Sequence, residues 1–488
     1  MKNFSVSIII LLGFITTFTS CDDDSIFHTK ATTSNGVTTI SGMRAGGLEK
    51  ALFLRLNSVT SLVINDTIDS RDFATMRDKM PNLAYVDLSN ATISAYNGFE
   101  GSAGTRVYNY SANAIPEFAF YNPETSYGKF KLQGILLPKN LKSIRDYAFN
   151  HCGGLSGTLQ IPASVRDTIG RSAFSFCDGL TGLKLSAAKY IGESAFQNCT
   201  NLSGTLVIPD SVFTIRPWAF SYCSSIDSII IPPSLSQIGT AGFNGCSGLF
   251  RVDPANGTFS AMNGVLFNVD QTMLVQFPAG KTGSYPVPST VGDIGPYAFA
   301  NCTGLTSISI PASTYAIEDY AFSGCSGLAG AFPVSSGISS IGQNVFIDCS
   351  GITSFAVAPD NSLFSFANGV LIDLSQFTVK RCVTSKFGSY IIPSDIIFID
   401  NSAFSNCTNL TSVTIPETIL SIGHRAFYNC TGLTSIYAKP TIPVDLTNSS
   451  TAFESVNTGK CTLYVPKGAK AAYQSAIGWK NFYNMVEN

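Results

Sequence analysis

Thirteen cysteines and three histidines carry the most reactive chemistry in this 488-residue chain. Ten of the cysteines end one recurring phrase, Ala-Phe-x-x-Cys with small drift. They are Cys152, Cys177, Cys199, Cys223, Cys246, Cys302, Cys325, Cys349, Cys407 and Cys430. A zinc site needs four converging ligands, commonly from Cys-x₂₋₄-Cys pairs, and no such pair is present. An even number of cysteines follows Cys21, which invites a disulfide framework. Yet ten of them share one position of a repeat, where packing asks for a small, inward-facing apolar residue, so buried free thiols are expected. Cys382 and Cys461 fall off this pattern and stay unassigned. His28, His151 and His424 lie far apart, and none has an evident acid or nucleophile to work with. No Gly-Lys-Ser/Thr phosphate loop, His-Glu-x-x-His or Gly-x-Ser-x-Gly is found. Asp22–Asp24 lacks the spaced oxygens of a calcium loop. The expectation is a non-enzyme with no metal and no cofactor.

The elements that hold these cysteines follow from the repeat. Most steps between them centre on 23 residues, and two, Cys246 to Cys302 and Cys349 to Cys407, are more than twice as long. Around the phrase stands a fuller pattern, as in Leu305-x-x-Ile308-x-Ile310-Pro311, then Ile317, then Ala321-Phe322-x-x-Cys325. A period of 20–29 residues with this Leu/Ile spacing predicts a leucine-rich repeat solenoid. Ile308-x-Ile310 alternates as a strand does, and the proline ends it because it has no N–H to give a ladder. Val-x-x-Ile-Gly, as at Val291 to Gly295, predicts a second short strand. Ala-Phe-x-x-Cys predicts one tight helical or 3₁₀ turn that points Phe and Cys inward together. The fold class is thus a right-handed, strand-dominated solenoid of about 14 coils, capped at both ends.

The two long steps contain matching text around Asn263-Gly264-Val-Leu and Asn368-Gly369-Val-Leu. Each predicts a β-hairpin protruding from a coil, near 253–280 and 358–384, with polar turns at Asn268–Thr272 and Asp373–Gln376. Residues 44–114 predict an N-terminal capping unit with a helix over Asp72–Met80 and a loop over 96–113. Residues 115–440 are the solenoid. In the C-terminal cap, 441–488, a helix over Ala469–Trp479 would lay Tyr473, Ile477 and Trp479 on the last coil.

The N-terminus reads as an address. A short basic head and the apolar run Phe4–Phe18 predict a signal peptide over 1–20. Phe18-Thr19-Ser20-Cys21 resembles the lipobox of bacterial lipoproteins, which implies lipidation of Cys21. Asp22-Asp23-Asp24 resembles the acidic export tag of lipoproteins sent to the outer face of some Gram-negative outer membranes. Residues 21–43 predict a polar tether, so the membrane would be met only through the lipid. With a formal charge of −2, 13% charged residues and no basic stripe, a nucleic-acid partner is excluded.

Binding is the remaining option. Bulky aromatics stand just before Ala-Phe at Tyr147, Trp218, Tyr297 and Tyr320. Phe213, Tyr315 and Phe398 stand around the second short strand. These seven are the candidate contact residues, because exposed aromatic clusters make hot spots.

Ile415-Pro416, Ile422-Gly423 and Ala426-Phe427-x-x-Cys430 together resemble the BspA-like leucine-rich repeat proteins. The Asn-Gly-Val-Leu inserts are similar to that family's variant repeat, and Leu463-Tyr-Val-Pro-Lys-Gly468 to its C-terminal cap. The resemblance implies a cell-surface adhesin whose partner is a host matrix or plasma protein, or another bacterial surface protein. The alternative is a glycan-binding accessory lipoprotein of a nutrient-uptake system.

Overall fold

The computed structural model describes residues 29–104 and 107–488, with the backbone alone at 16–19. Cys21, the acidic run after it and His28 lie outside the described residues. The chain is a strand-dominated solenoid with repeats near 23 residues and little helix, running to about 20 turns, more than the sequence suggested. It divides into two compact units, Met1–Thr258 and Phe259–Asn488.

In the first unit each coil hands three short segments to the next. The first ladder starts with Val37–Ser41, Ser61–Ile64, Tyr85–Asp87 and Gly134–Leu136, all parallel. It resumes with Gly157–Gln160 on Leu180–Lys184, and with Gly204–Val207, Ile226–Ile231 and Leu249–Val252. Gly157 enters its strand at φ +73°, and the pairing register slips there by one residue. This is a glycine bulge that absorbs the extra residue of the longer repeats. The second ladder is a run of two-residue strands from Ala114–Ile115 to Gln237–Ile238.

The third segment is the Ala-Phe-x-x-Cys turn, and here the structure corrects the expected helical turn. Tyr147, Phe149 and His151 donate their N–H groups to the carbonyls of Arg171, Ala173 and Ser175 on the next coil, at 2.7–2.8 Å. A helical turn would spend those groups within its own coil. Instead the backbone switches hand. The residues just before Ala-Phe and just before Cys are left-handed, as at Tyr147 (φ +56°), His151 (+56°), Trp218 (+61°) and Tyr222 (+62°). That conformation costs an L-residue roughly 1–2 kcal/mol. Inter-coil hydrogen bonds and the burial of Phe and Cys offset it.

The phenyl rings form a column, with Phe149 on Phe174 at 4.9 Å, Phe174 on Phe196 at 5.4 Å and Phe196 on Phe220 at 5.3 Å, all near parallel. All twelve described cysteines are buried and unbridged. Every ladder thiol except Cys407 also has a job that the sequence did not show: it donates to the phenylalanine carbonyl one coil back. Cys177 reaches Phe149 O at 3.1 Å, Cys199 Phe174 O at 3.2 Å and Cys246 Phe220 O at 3.0 Å.

The N-terminal region departs from expectation in two places. Within the tether assigned to 21–43, Lys30–Ser34 and Val37–Ser41 pair as an antiparallel hairpin, and the latter strand seeds the first ladder. Its alternating burial of Thr38 and Ile40 is the reason. Within the expected loop 96–113, Tyr96–Gly98 pairs with Tyr108–Tyr110, and the Tyr96 and Tyr110 rings stack at 6.0 Å. The expected helix spans Ser70–Asp78, begun by a reciprocal capping box between Asp69 and Asp72.

In the second unit the expected hairpins across Asn268–Thr272 and Asp373–Gln376 form, but an added strand precedes each and they are buried rather than protruding. Each is a three-stranded meander, Phe259–Met262, Val265–Asn268 and Met273–Gln276 in the first, Phe364–Ala367, Val370–Asp373 and Thr378–Cys382 in the second. Asn263-Gly264 and Asn368-Gly369 are both left-handed, making the tight first turn that an Asn-Gly pair favours. The third strand of each meander joins the second ladder in parallel. All four residues of Val370–Asp373 are buried. Val370 and Ile372 pack into the cluster around Phe404 and Phe427, while Leu371 packs into the one around Phe322 and Phe346. The insert is therefore an apolar partition between two stacks of coils.

At the C-terminal end, Ser435–Ala438, Thr462–Val465 and Asn484–Glu487 extend this unit's parallel sheet of Gly388–Ile391 and Leu410–Ile415. Tyr473 and Trp479 are fully buried, their polar atoms donating to Pro440 O and Val444 O at 2.8 Å. Ile477, expected to cover the last coil, is exposed. The helix stops at Ser475, and Gly478 at φ +79° redirects the chain.

Candidate functional site

The seven aromatic candidates do not gather in one place. Tyr147 stacks on Phe118 at 5.4 Å and lies 6.1 Å from Tyr121, under the Arg171 guanidinium. Tyr297 and Tyr320 stack on each other at 4.7 Å, and Asn344 donates to the Tyr320 hydroxyl. Trp218 is half-buried at its left-handed turn. These residues face their neighbours along the turn ladder. Phe213, Tyr315 and Phe398 remain open, at 46%, 55% and 40% exposure. Phe213 stands in the first unit. Tyr315 lies across Gly292, where a Cβ would sit 2.6 Å from its ring.

His151 joins the aromatic column, sandwiched between Tyr121 at 5.9 Å and Phe176 at 4.4 Å, and burial pushes its pKa down. His424 faces Thr451 at 3.4 Å. Among the described residues His151 has no hydroxyl or thiol hydrogen-bonded to its ring, and the exposed His424–Thr451 pair has no carboxylate hydrogen-bonded to its imidazole to orient it. Burial pushes the Cys152 thiol up to about 12, and Cys325 also goes well up. Since the thiolate is the nucleophile and the ligand, these sulfurs are inert. Cys382 ends the second insert, its thiol raised by its hydrogen bond with Cys407 and by burial. Cys461 is likewise buried and pushed up to about 11 by burial. Among the described residues no group of three or more His, Cys, Asp or Glu is placed to hold a metal ion.

Of the seven, Phe398 lines a sizeable cavity. The second ladder runs Asp293–Ile294, Ala316–Ile317, Ser340–Ile341 and there breaks, before a new run begins at Thr378–Cys382, Phe398–Ile399 and Ser421–Ile422. The break opens a cleft of about 460 Å³. One wall is Ser340–Gln343. The other is Gln376, Thr378, Lys380, Phe398, Asp400, Asn401 and Ser421. Asn401 Nδ2 bridges the break to Gln343 Oε1 at 2.8 Å, and Asn406 Nδ2 reaches Asp348 Oδ1 at 3.1 Å. Lys380 and Asp400 form a largely buried ion pair at 2.6 Å.

The rim is apolar. Ile397 and Phe398 donate their N–H groups to Phe377 O, and Leu420 donates to Ile397 O, so these residues sit on successive coils of one flank. Phe377, Phe398 and Leu420 are all exposed, Leu420 at 71%. Sequence reasoning found Phe398 but missed Phe377, Leu420 and the cationic pair Lys380-Arg381. The available signal was two adjacent cations in a strand otherwise patterned for burial.

The cleft offers amides, an ion pair and one exposed aromatic ring. The repeat ladder that carries it defines a leucine-rich repeat solenoid. The model of the BspA type leucine rich repeat region matches in six copies over residues 113–250, 277–384 and 376–463, so the chain belongs to that family. The fold is also similar to a leucine-rich repeat protein from Eubacterium ventriosum (19% identity, 91% of this chain and 95% of that one, TM-score 0.40). A leucine rich cell surface protein from Faecalibacterium prausnitzii matches at 18% identity over 90% of this chain and 98% of its own, with a TM-score of 0.43. The pneumococcal vaccine antigen PcpA matches at 15% identity over 97% and 100%, with a TM-score of 0.35. No curated protein matches this chain.

Proposed function

We propose that the protein is a non-enzymatic binding protein of the bacterial surface, held at the outer membrane by a lipid on Cys21 and capturing a host or microbial protein. The observation that carries this reading is the cleft at the ladder break with the exposed Phe398 ring in its lining, flanked one register position away by the exposed Phe377 and Leu420 of the neighbouring coils. Apolar anchors next to satisfied polar groups are how protein interfaces concentrate their energy. Among the described residues no helix is long and apolar enough to cross a membrane, and a lipid anchor would supply the attachment.

The test is binding of the purified chain to a panel of matrix and plasma proteins, with Phe398→Ala/Leu420→Ala beside it. Saturable binding that weakens at least tenfold in the double variant supports the reading. Its survival unchanged in that variant sinks it. The polar walls of the cleft favour a second reading, a glycan-binding accessory lipoprotein of a nutrient-uptake system. Saturable binding on a glycan array with no protein partner would select it. Labelling Cys21 with radioactive palmitate in cells, with Cys21→Ser as control, tests the anchor.

A further inference from the structure

Arg381 is the most unusual charged residue in the second unit. It is 5% exposed, in the same strand as Lys380, and its Nη1 donates to Ser402 O at 2.6 Å. Its Nη2 is buried and has no hydrogen-bond partner among the described residues. Lys380 has Asp400, whereas among the described residues no carboxylate forms an ion pair with Arg381. A buried guanidinium without a counter-ion is costly, because neither water nor an anion repays its lost hydration. It also has a ready partner in chemistry, since its planar fork matches a carboxylate.

The surroundings show where that carboxylate would come from. Arg381 lines a small cavity of about 10 Å³ together with Lys380, Asn344, Asn401 and Ser402. Ile341, Gly342, Lys380 and Asn401 line both this cavity and the larger cleft, so the two share a wall. A space of that size holds one oxygen atom or one water. A sugar ring carrying a carboxyl on a ring carbon is too broad to bring its oxygen there. An acidic side chain on an extended peptide is slender enough, and the cleft supplies Phe398 for an apolar residue beside it.

We infer that Arg381 is a specificity-determining residue that accepts the carboxylate of a glutamate or aspartate from the partner protein, with the cleft holding the flanking peptide. This rests on the protein-binding reading above and names what that partner presents.

The test uses the full chain, titrated by NMR with the probe Ac-Leu-Glu-Leu-NH2, with Ac-Leu-Gln-Leu-NH2 and with glucuronic acid. The Glu peptide should bind at least tenfold tighter than the Gln peptide, and Arg381→Gln should erase that preference. Phe398→Ala should weaken both peptides together. Should Arg381→Gln fail to fold, the native chain still decides: Glu-peptide affinity must fall as pH drops below about 4.3, where the peptide carboxylate protonates, while Gln-peptide affinity does not. Equal affinity for the two peptides, a Glu preference that survives in Arg381→Gln, or binding of glucuronic acid alone would each overturn the inference. If the Gln peptide binds as well as the Glu peptide, only this inference fails. If neither binds and no purified protein does, the broader reading fails with it.

Discussion

The Cys325 thiol donates to the Phe299 carbonyl oxygen one coil back at 2.9 Å, while the Phe299 ring stacks on Phe322 at 4.9 Å. One residue of each coil thus supplies both the ring that packs and the oxygen that the next cysteine needs. The relationship loosens after an insert. Cys302 meets Phe277 O at 3.8 Å, and Cys407 has only the Cys382 and Val383 carbonyls at 3.9 and 3.6 Å. In both cases the preceding segment is a meander strand, which lacks the Ala-Phe turn that sets the carbonyl.

Replacing the two kinds of cysteine therefore has unequal cost. Cys325→Ala loses buried sulfur and a good hydrogen bond, together about 2 kcal/mol. Cys302→Ala loses the burial but little of the bond, so it should cost about 0.5–1 kcal/mol less. Urea unfolding of both variants checks this, and equal losses would show that the thiol bond contributes nothing.

Gly157 isolates backbone from packing. A Cβ there would meet nothing within 4 Å, yet φ is +73°. Gly157→Ala should still cost about 1–2 kcal/mol, all of it from the left-handed backbone. A neutral result in thermal or urea unfolding would mean that the bulge relaxes.

Asp72 gives a pH dependence with a definite sign. It is fully buried, and desolvation pushes its carboxyl up to about 6 from 3.8, against the N–H groups of Asp69, Gly46 and Leu48 that favour the charged form. A raised folded pKa means that its contribution is present below 3.8 and is lost as pH rises through about 6. Unfolding free energy should fall between pH 4 and 7 by up to about 3 kcal/mol more in the native chain than in Asp72→Asn. Parallel pH profiles for the two proteins would contradict this.

The ladder was legible in the sequence because it is periodic: the spacing of Leu305, Ile308, Ile310, Phe322 and Cys325 alone points their side chains inward. What failed was local or depended on register. The left-handed turn at Tyr147 and Trp218 escaped because bulky aromatics disfavour that conformation, and only hydrogen bonds to the next coil reveal why it is kept. The inserts were misplaced outward although Val265, Leu266, Phe267 and Val370 are wholly apolar, a pattern suited to burial on both faces. Asn-Gly, the stronger turn signal, was passed over for the polar turn that follows it. The cleft was invisible because it exists only where the second ladder stops at Ile341 and restarts at Thr378, residues far apart in the chain. Of its lining, only Phe398 carried a mark of its own.

The described cysteines are interior and unbridged. The most direct measurement is a thiol titration with a disulfide reagent on the native chain, with and without denaturant, read by mass spectrometry of the intact protein. The account predicts that Cys152 to Cys461 stay unlabelled in the folded state and that all react, without prior reduction, once it is unfolded. Labelling of the ladder cysteines in the folded chain, or a denatured chain that needs reductant before it reacts, would contradict it.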